Sequence, residues 1–349
     1  MRNILKKTWA VIKYNMGSLL LFETGYRIAV FFLTMQMVHG AVTFVLKKQN
    51  FSYLTAENYG EFLASPLCIL LFFGILIFLL FLFLVEVSAL LLGFQYSYQR
   101  KKLYASDMLI LGIKQSISFL RHSKISWIFC VALSAPFLTA YFIIREISYI
   151  RVLEFTARQI YKEVTPHILL YTVIGVILVI SFLLVFALPY CILAKQRSLG
   201  GIWAGIRLLR KQWKKVLAGF FILHLVMLGF IFVMYLLAMT FMTGFVAFGT
   251  GKSGAVSRVL IYSGYMEMAL GIFAGGVQLT GSLAFVSVIF SRFRVPQKKE
   301  VPVYELMKQY TWYQKVGRRR MAAILSVVFL LFEGSYLVAL AASYDNSLE

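Results

Sequence analysis

The sequence predicts an all-α, polytopic membrane protein: a bundle of about seven spans with basic amphipathic helices lying on its cytoplasmic side. Three observations carry this. Residues 67–85 read LCILLFFGILIFLLFLFLV, with no charge and no strong polar group. At about 1.5 Å per residue such a helix crosses the roughly 30 Å hydrocarbon layer, and a soluble core has no need of a run apolar on every face. Similar runs recur along a chain that is 60% hydrophobic and 14% charged, with mean hydropathy +0.80; soluble domains hold about 25% charged residues. Finally, the basic residues gather between alternate runs. Membrane β-strands would alternate apolar and polar positions, and these runs do not.

The elements follow in order as one membrane domain over 1–349. Residues 1–16 carry Arg2, Lys6, Lys7 and Lys13 beside Ile4, Leu5, Trp9, Val11 and Ile12, the pattern of an interfacial helix. Span one covers about 18–46; Glu23 and Arg27 stand four apart on one helical face and are placed to neutralise each other. A polar loop leads to Pro66, well suited to a first helical turn, and span two, about 66–94, ends beyond Glu86. Tyr96, Tyr98 and Trp127 fall where aromatic belts form. Residues 100–124 are basic with one acid, Asp107, and precede span three, about 125–144. The mixed-charge loop 145–166 has the pattern of an amphipathic helix. Span four is about 167–194, and Pro189 predicts a kink near its end. The acid-free basic segment 195–215 leads to span five, about 216–248, and a glycine-rich loop. Span six, about 259–290, holds Glu267 with Gly271, Gly275, Gly276 and Gly281, small residues that let helices approach. A third basic segment, 291–320, precedes span seven, about 321–344, with Glu333 near its middle.

With the N-terminus in the cytoplasm, the cytoplasmic segments hold 26 of the 35 lysines and arginines and the exterior loops hold eight. That split supports seven spans with the C-terminus outside. The basic stretches before spans one, three and five each set an aromatic residue among cations. Each reads either as a helix tied to anionic lipid or as the positive-inside bias alone. On this view Arg207, Arg210, Lys211, Lys214 and Lys215 are candidate contacts for anionic headgroups. The net charge of +21 then reflects membrane topology, and nucleic acid is not the expected partner.

No catalytic constellation is legible. Gly249–Ser253 resembles half of a phosphate-binding loop, but the first glycine of that pattern is replaced by Val246. The three cysteines sit singly in apolar runs, and the four histidines have no partner at metal-ligand spacing. Glutamates within spans are costly and are therefore candidates for function; Glu86, Glu267 and Glu333 form the candidate intramembrane polar set, with Glu86 also open to an ion-paired structural role.

One stretch carries a family resemblance. Phe51-Ser-Tyr53-Leu54-Thr55-Ala-Glu57-Asn58, then Phe62-Leu63 and Ser65-Pro66 before a leucine-rich run, resembles the membrane domain at the N-terminus of some bacterial glycerophosphodiester phosphodiesterases. Leu188-Pro189-Tyr190 and the basic segment 201–215 are similar to it as well. The resemblance implies a bacterial cell-membrane anchor that sets an extracellular C-terminal TIM-barrel catalytic domain near lipid or glycerophosphodiester substrate. The family's barrel begins with a His-Arg-Gly motif and holds a divalent metal; this sequence has no such motif, so no catalytic residue or cofactor is expected on it. The catalytic domain would be supplied in cis or in trans. Tyr53, Thr55, Glu57 and Asn58 become candidate exterior-loop contacts. The competing expectations are a stand-alone transporter using the intramembrane glutamates, or a membrane scaffold.

Overall fold

A computed structural model of the chain describes residues 2–51, 53, 55, 58–149, 167–249 and 255–293. Among these there is no strand. The helices are α1 (Arg2–Tyr14), α2 (Met16–Lys48), α3 (Tyr59–Ala64), α4 (Pro66–Tyr98), α5 (Ala105–Ser123), α6 (Ser126–Tyr149), α7 (His167–Leu183), α8 (Ala187–Ile192), α9 (Ser198–Gly249) and α10 (Ala255–Phe293). Among the described residues five stretches are long and apolar enough to cross a membrane: α2, α4, Tyr171–Ile192, Ser198–Phe241 and Phe273–Phe293. A shorter apolar stretch, Ser126–Leu138, lies in α6. The seventh predicted span falls outside the described residues, as do the loop 150–166 and most of the third basic segment.

The described residues form two compact units, those within 15–122 and those within 1–14 and 123–293. In the first, the described helices are α2 to α5. Helix α4 starts as its sequence predicts. Ser65 is extended (φ −66°, ψ 134°), its hydroxyl accepts from the Cys68 amide at 3.1 Å, and Pro66 fills the first turn, where its missing N–H has no helical acceptor to lose. The two halves of α4 differ. Near its start Ile69, Leu70, Phe73 and Leu76 face outward, whereas Leu84 to Phe94 are buried throughout. Helix α5 helps to explain the change. Its buried residues Met108 and Ser116 lie along α4: Met108 packs at Gly93, the Ser116 hydroxyl donates to Ser88 at 3.1 Å, and a Cβ on Gly112 would sit 2.8 Å from that of Ala89. Part of the apolar face of the basic segment 100–124 is therefore spent on protein, while Ile113 and Ile117 stay exposed. Tyr96 is buried too rather than set in a belt.

Helix α4 ends in a Schellman turn, with Lys101 N–H on Tyr96 O (2.9 Å), Arg100 N–H on Ser97 O (3.0 Å) and Arg100 left-handed at φ 56°. A non-glycine residue there costs about 1 kcal/mol or more. Asn15 supports the turn: its amide donates to Ser97 Oγ at 2.9 Å and to Lys101 O at 3.0 Å.

In the second unit the buried end of α10, Phe273–Phe293, is the centre. Helices α1, α6, α8 and α9 pack against it. Phe285 meets Gly219 and stands edge-on to Phe220 (5.0 Å), which in turn stands edge-on to Phe137 of α6 (5.1 Å). Trp127, expected in a belt, is buried. Outward positions on α7 and α9, such as Val173, Val176, Phe221, Leu225 and Phe232, are large and apolar, as a hydrocarbon solvent demands.

Two helix irregularities in this unit face each other. The predicted kink before Pro189 is a break at residues 184–186, where bonds of the i→i−3 type replace the α ladder, as in Ala187 N–H to Leu184 O at 2.8 Å. Pro136 interrupts α6. Ser181 of α7 closes that gap: its hydroxyl accepts from Phe137 N–H at 2.8 Å and donates to Ser134 O at 3.0 Å. Ser181→Ala should lower stability by about 1 kcal/mol, the size of an interhelical hydrogen bond in a membrane protein. Unfolding in a denaturing detergent followed by circular dichroism would read the loss, and an unchanged midpoint would show the hydroxyl to be idle.

The largest departure from the sequence reading is α9. The basic segment and the fifth span, expected as separate elements meeting near residue 216, are one continuous helix of 52 residues. At 1.5 Å per residue it is about 78 Å long, far beyond the bilayer. Elsewhere separate helices are assigned on either side of Asn15, between α1 and α2, and of Lys124, which is left-handed at φ 49°.

Candidate functional site

The charged side chains that the structure brings together in apolar surroundings are Glu23, Arg27 and Glu86. Helix α2 buries the stripe Leu19, Phe22, Glu23, Arg27 and Phe31, spaced by three, one, four and four residues, which is one helical face. Arg27 Nε donates to Glu23 Oε1 at 2.7 Å, and Arg27 Nη2 lies 2.9 Å from Glu86 Oε1 on α4. None of the three side chains is more than a tenth exposed. Tyr26, stacked on Phe22 at 5.3 Å, donates its hydroxyl to Leu82 O at 2.8 Å, and so grips the turn of α4 that precedes Glu86. One guanidinium serves two carboxyl groups. Its planar fork suits two acceptors in different directions, which a lysine ammonium would hold less firmly. Glu23 Oε2 is buried and has no hydrogen-bond donor among the described residues. The cluster cross-links α2 to α4 at a depth where an isolated charge would be costly.

Of the predicted intramembrane set, then, Glu86 is in a cluster, but its companions are Glu23 and Arg27. Glu267 lies on α10 and Glu333 outside the described residues; the side chains of both are outside the description. The expected Glu23–Arg27 pair is present, and its extension to Glu86 is the part that helical spacing could not reveal. His122 and His224 each bond a backbone carbonyl four residues back, Ser118 O at 2.9 Å and Phe220 O at 2.8 Å. No group of three His, Cys, Asp or Glu among the described residues is arranged to hold a metal ion.

The exterior-loop candidates divide. Thr55 and Asn58 serve the loop itself: Thr55 N–H donates to Asn58 Oδ1 (2.7 Å), Asn58 N–H to Thr55 Oγ1 (3.3 Å), and the Asn58 amide to Tyr53 O (2.9 Å). This reciprocal bonding is that of a capping box, and it starts the turn that leads into α3. The Tyr53 ring is 70% exposed, and Glu57 lies outside the described residues. The five candidate headgroup cations, Arg207, Arg210, Lys211, Lys214 and Lys215, are all exposed on the first part of α9.

The membrane domain of glycerophosphoryl diester phosphodiesterase, as a family model, matches residues 5–334. The chain belongs to this family. No curated protein and no solved structure matches it. The family match takes in both units, the ion-pair cluster, the Thr55–Asn58 turn and the basic part of α9. With five helices apolar enough to span, the chain is an integral membrane protein of this family.

Proposed function

We propose that the chain is the membrane-anchoring domain of a glycerophosphodiester phosphodiesterase, holding a catalytic barrel supplied in cis or in trans. The observation that carries this is the family match across residues 5–334. In this reading the domain lies in a bacterial cell membrane with the N-terminus cytoplasmic, seven spans, and an extracellular catalytic domain near lipid or glycerophosphodiester substrate. The 26-to-8 division of basic residues supports that orientation. The divalent metal belongs to the catalytic domain. What this chain contributes is position: a capped, outward-facing start to α4, a loop bearing the exposed Tyr53, and helices that fix both in the bilayer.

Intact mass spectrometry of the native gene product tests the proposal. The expected mass exceeds the 39.9 kDa of this sequence by about one TIM barrel, some 250 residues, or else the product co-purifies with a phosphodiesterase of that size. A mass of 39.9 kDa with no such companion would overturn it.

A further inference from the structure

We infer that the first part of α9 is a binding surface for anionic phospholipid headgroups, built as a continuation of the lipid-facing side of the same helix. At 100° per residue, Leu199, Trp203, Arg210, Leu217 and Phe221 lie within about 40° of one another on α9. Arg207 and Lys214 flank them on one side and Trp213 on the other. Leu199, Trp203, Trp213, Leu217 and Phe221 are each half or more exposed, and the cations are exposed as well. The opposite side of the helix, Gly201, Gly205, Leu208, Leu209 and Val216, is buried. One outward stripe therefore changes along its length, from tryptophans with arginines and lysines to leucine and phenylalanine. The change falls between Lys215 and Val216.

Charge and level identify the occupant. Helix α9 has no acidic residue from Ser198 to Gly249, so its five clustered cations have no partner within their own element. Lys215 Nζ lies 5.2 Å from the Phe293 ring, and the Arg292 guanidinium lies 5.4 Å from the same ring. The cationic ends of α9 and α10 thus meet at one level, where the buried end of α10 stops. Helix α1, packed on α10, adds exposed Lys6, Lys7, Lys13 and Trp9 to the same unit, with no acid, while its Ile4, Thr8 and Val11 are buried. Indole rings beside cations at the edge of an apolar band suit the headgroup layer, and the phosphates of anionic lipids are the negative groups found there. A soluble acidic partner would not need the stripe to run on into Leu217, Phe221 and Leu225.

The test uses the whole chain in vesicles of equimolar phosphatidylcholine and phosphatidylglycerol. Trp9, Trp127, Trp203 and Trp312 are changed to phenylalanine, which leaves Trp213, three residues before Val216 and half exposed, as the reporter. Brominated chains are placed on one lipid or on the other. The expected result is that brominated phosphatidylglycerol quenches Trp213 several-fold more than brominated phosphatidylcholine. The ratio should approach one in R207Q/R210Q/K214Q, and in high salt without that triple change. Equal quenching by the two lipids at low salt would overturn the inference, as would a preference that survives both the substitutions and the salt. The salt arm needs no cation substitution, so it decides the matter even if the triple variant fails to fold.

Discussion

Arg27→Met should cost the protein about 3–5 kcal/mol, the range for removing one partner of a buried ion pair, enough to abolish most folded material. Methionine keeps the apolar stem as far as the position of Nε, so what is lost is the charged end that reaches both carboxyl groups. Without the guanidinium, Glu23 and Glu86 face each other inside the apolar bundle with their common cation gone. Size-exclusion chromatography in mild detergent should show an aggregated or absent peak. The second arm decides what kind of site this is. E23Q/R27M/E86Q removes all three charges together, and a buried ionic cluster replaced as a whole is often neutral or stabilising. We expect the triple variant to recover most of the folded peak that Arg27→Met loses. If Arg27→Met instead runs as a normal monodisperse species, the cluster does not cross-link α2 to α4.

This cluster shows where the sequence was legible and where it stopped. Glu23 and Arg27 are four apart, and helical geometry alone pairs them. Glu86 is 59 residues from Arg27, and only the packing of α4 on α2 selects it over Glu267 or Glu333. Five of the spans were readable because hydrocarbon demands a continuous apolar run, which needs no partner to be recognised. The start of α4 was readable because Pro66 carries its own geometry; the Ser65 cap beside it was not read. The basic segments were harder. Residues 105–123 and 198–215 share an amphipathic, cationic pattern, yet the former packs its apolar face on α4 and the latter runs unbroken into a span. An amphipathic period reveals that one face is apolar; it does not say whether protein or lipid covers it. Ser181 was invisible for a related reason. A serine in an apolar run is unremarkable until Pro136 of another helix leaves backbone groups for its hydroxyl to serve.

Gly205→Leu should have the second-largest effect, about 3 kcal/mol, because there the obstacle is backbone. A Cβ on Gly205 would lie 2.9 Å from Ala187 N and 3.0 Å from Phe186 C, atoms of the break that Pro189 imposes before α8. The end of a flexible side chain can swing away, as the Met227 thioether opposite Gly281 can; a main-chain turn cannot, so the helices must part. Gly201, one turn earlier, sits against the Cys191 sulfur and the Ala187 carbonyl, and the Gly201–Gly205 spacing is the small-xxx-small arrangement that lets helices approach closely. Parting α9 from α8 would also move Tyr190 from its edge-on contact with Phe290 at 4.9 Å, which ties α8 to the core helix α10. Gly205→Leu should therefore lower the unfolding midpoint well below that of Ser181→Ala, whereas Gly229→Leu, at a position with nothing within 4 Å of a new Cβ, should leave it nearly unchanged. Equal midpoints for Gly205→Leu and Gly229→Leu would mean that α9 does not rest on α8 through this glycine face. The same substitution links the fold to the surface: by tilting the first part of α9 it should reduce the preference of Trp213 for anionic lipid even though every cation is retained.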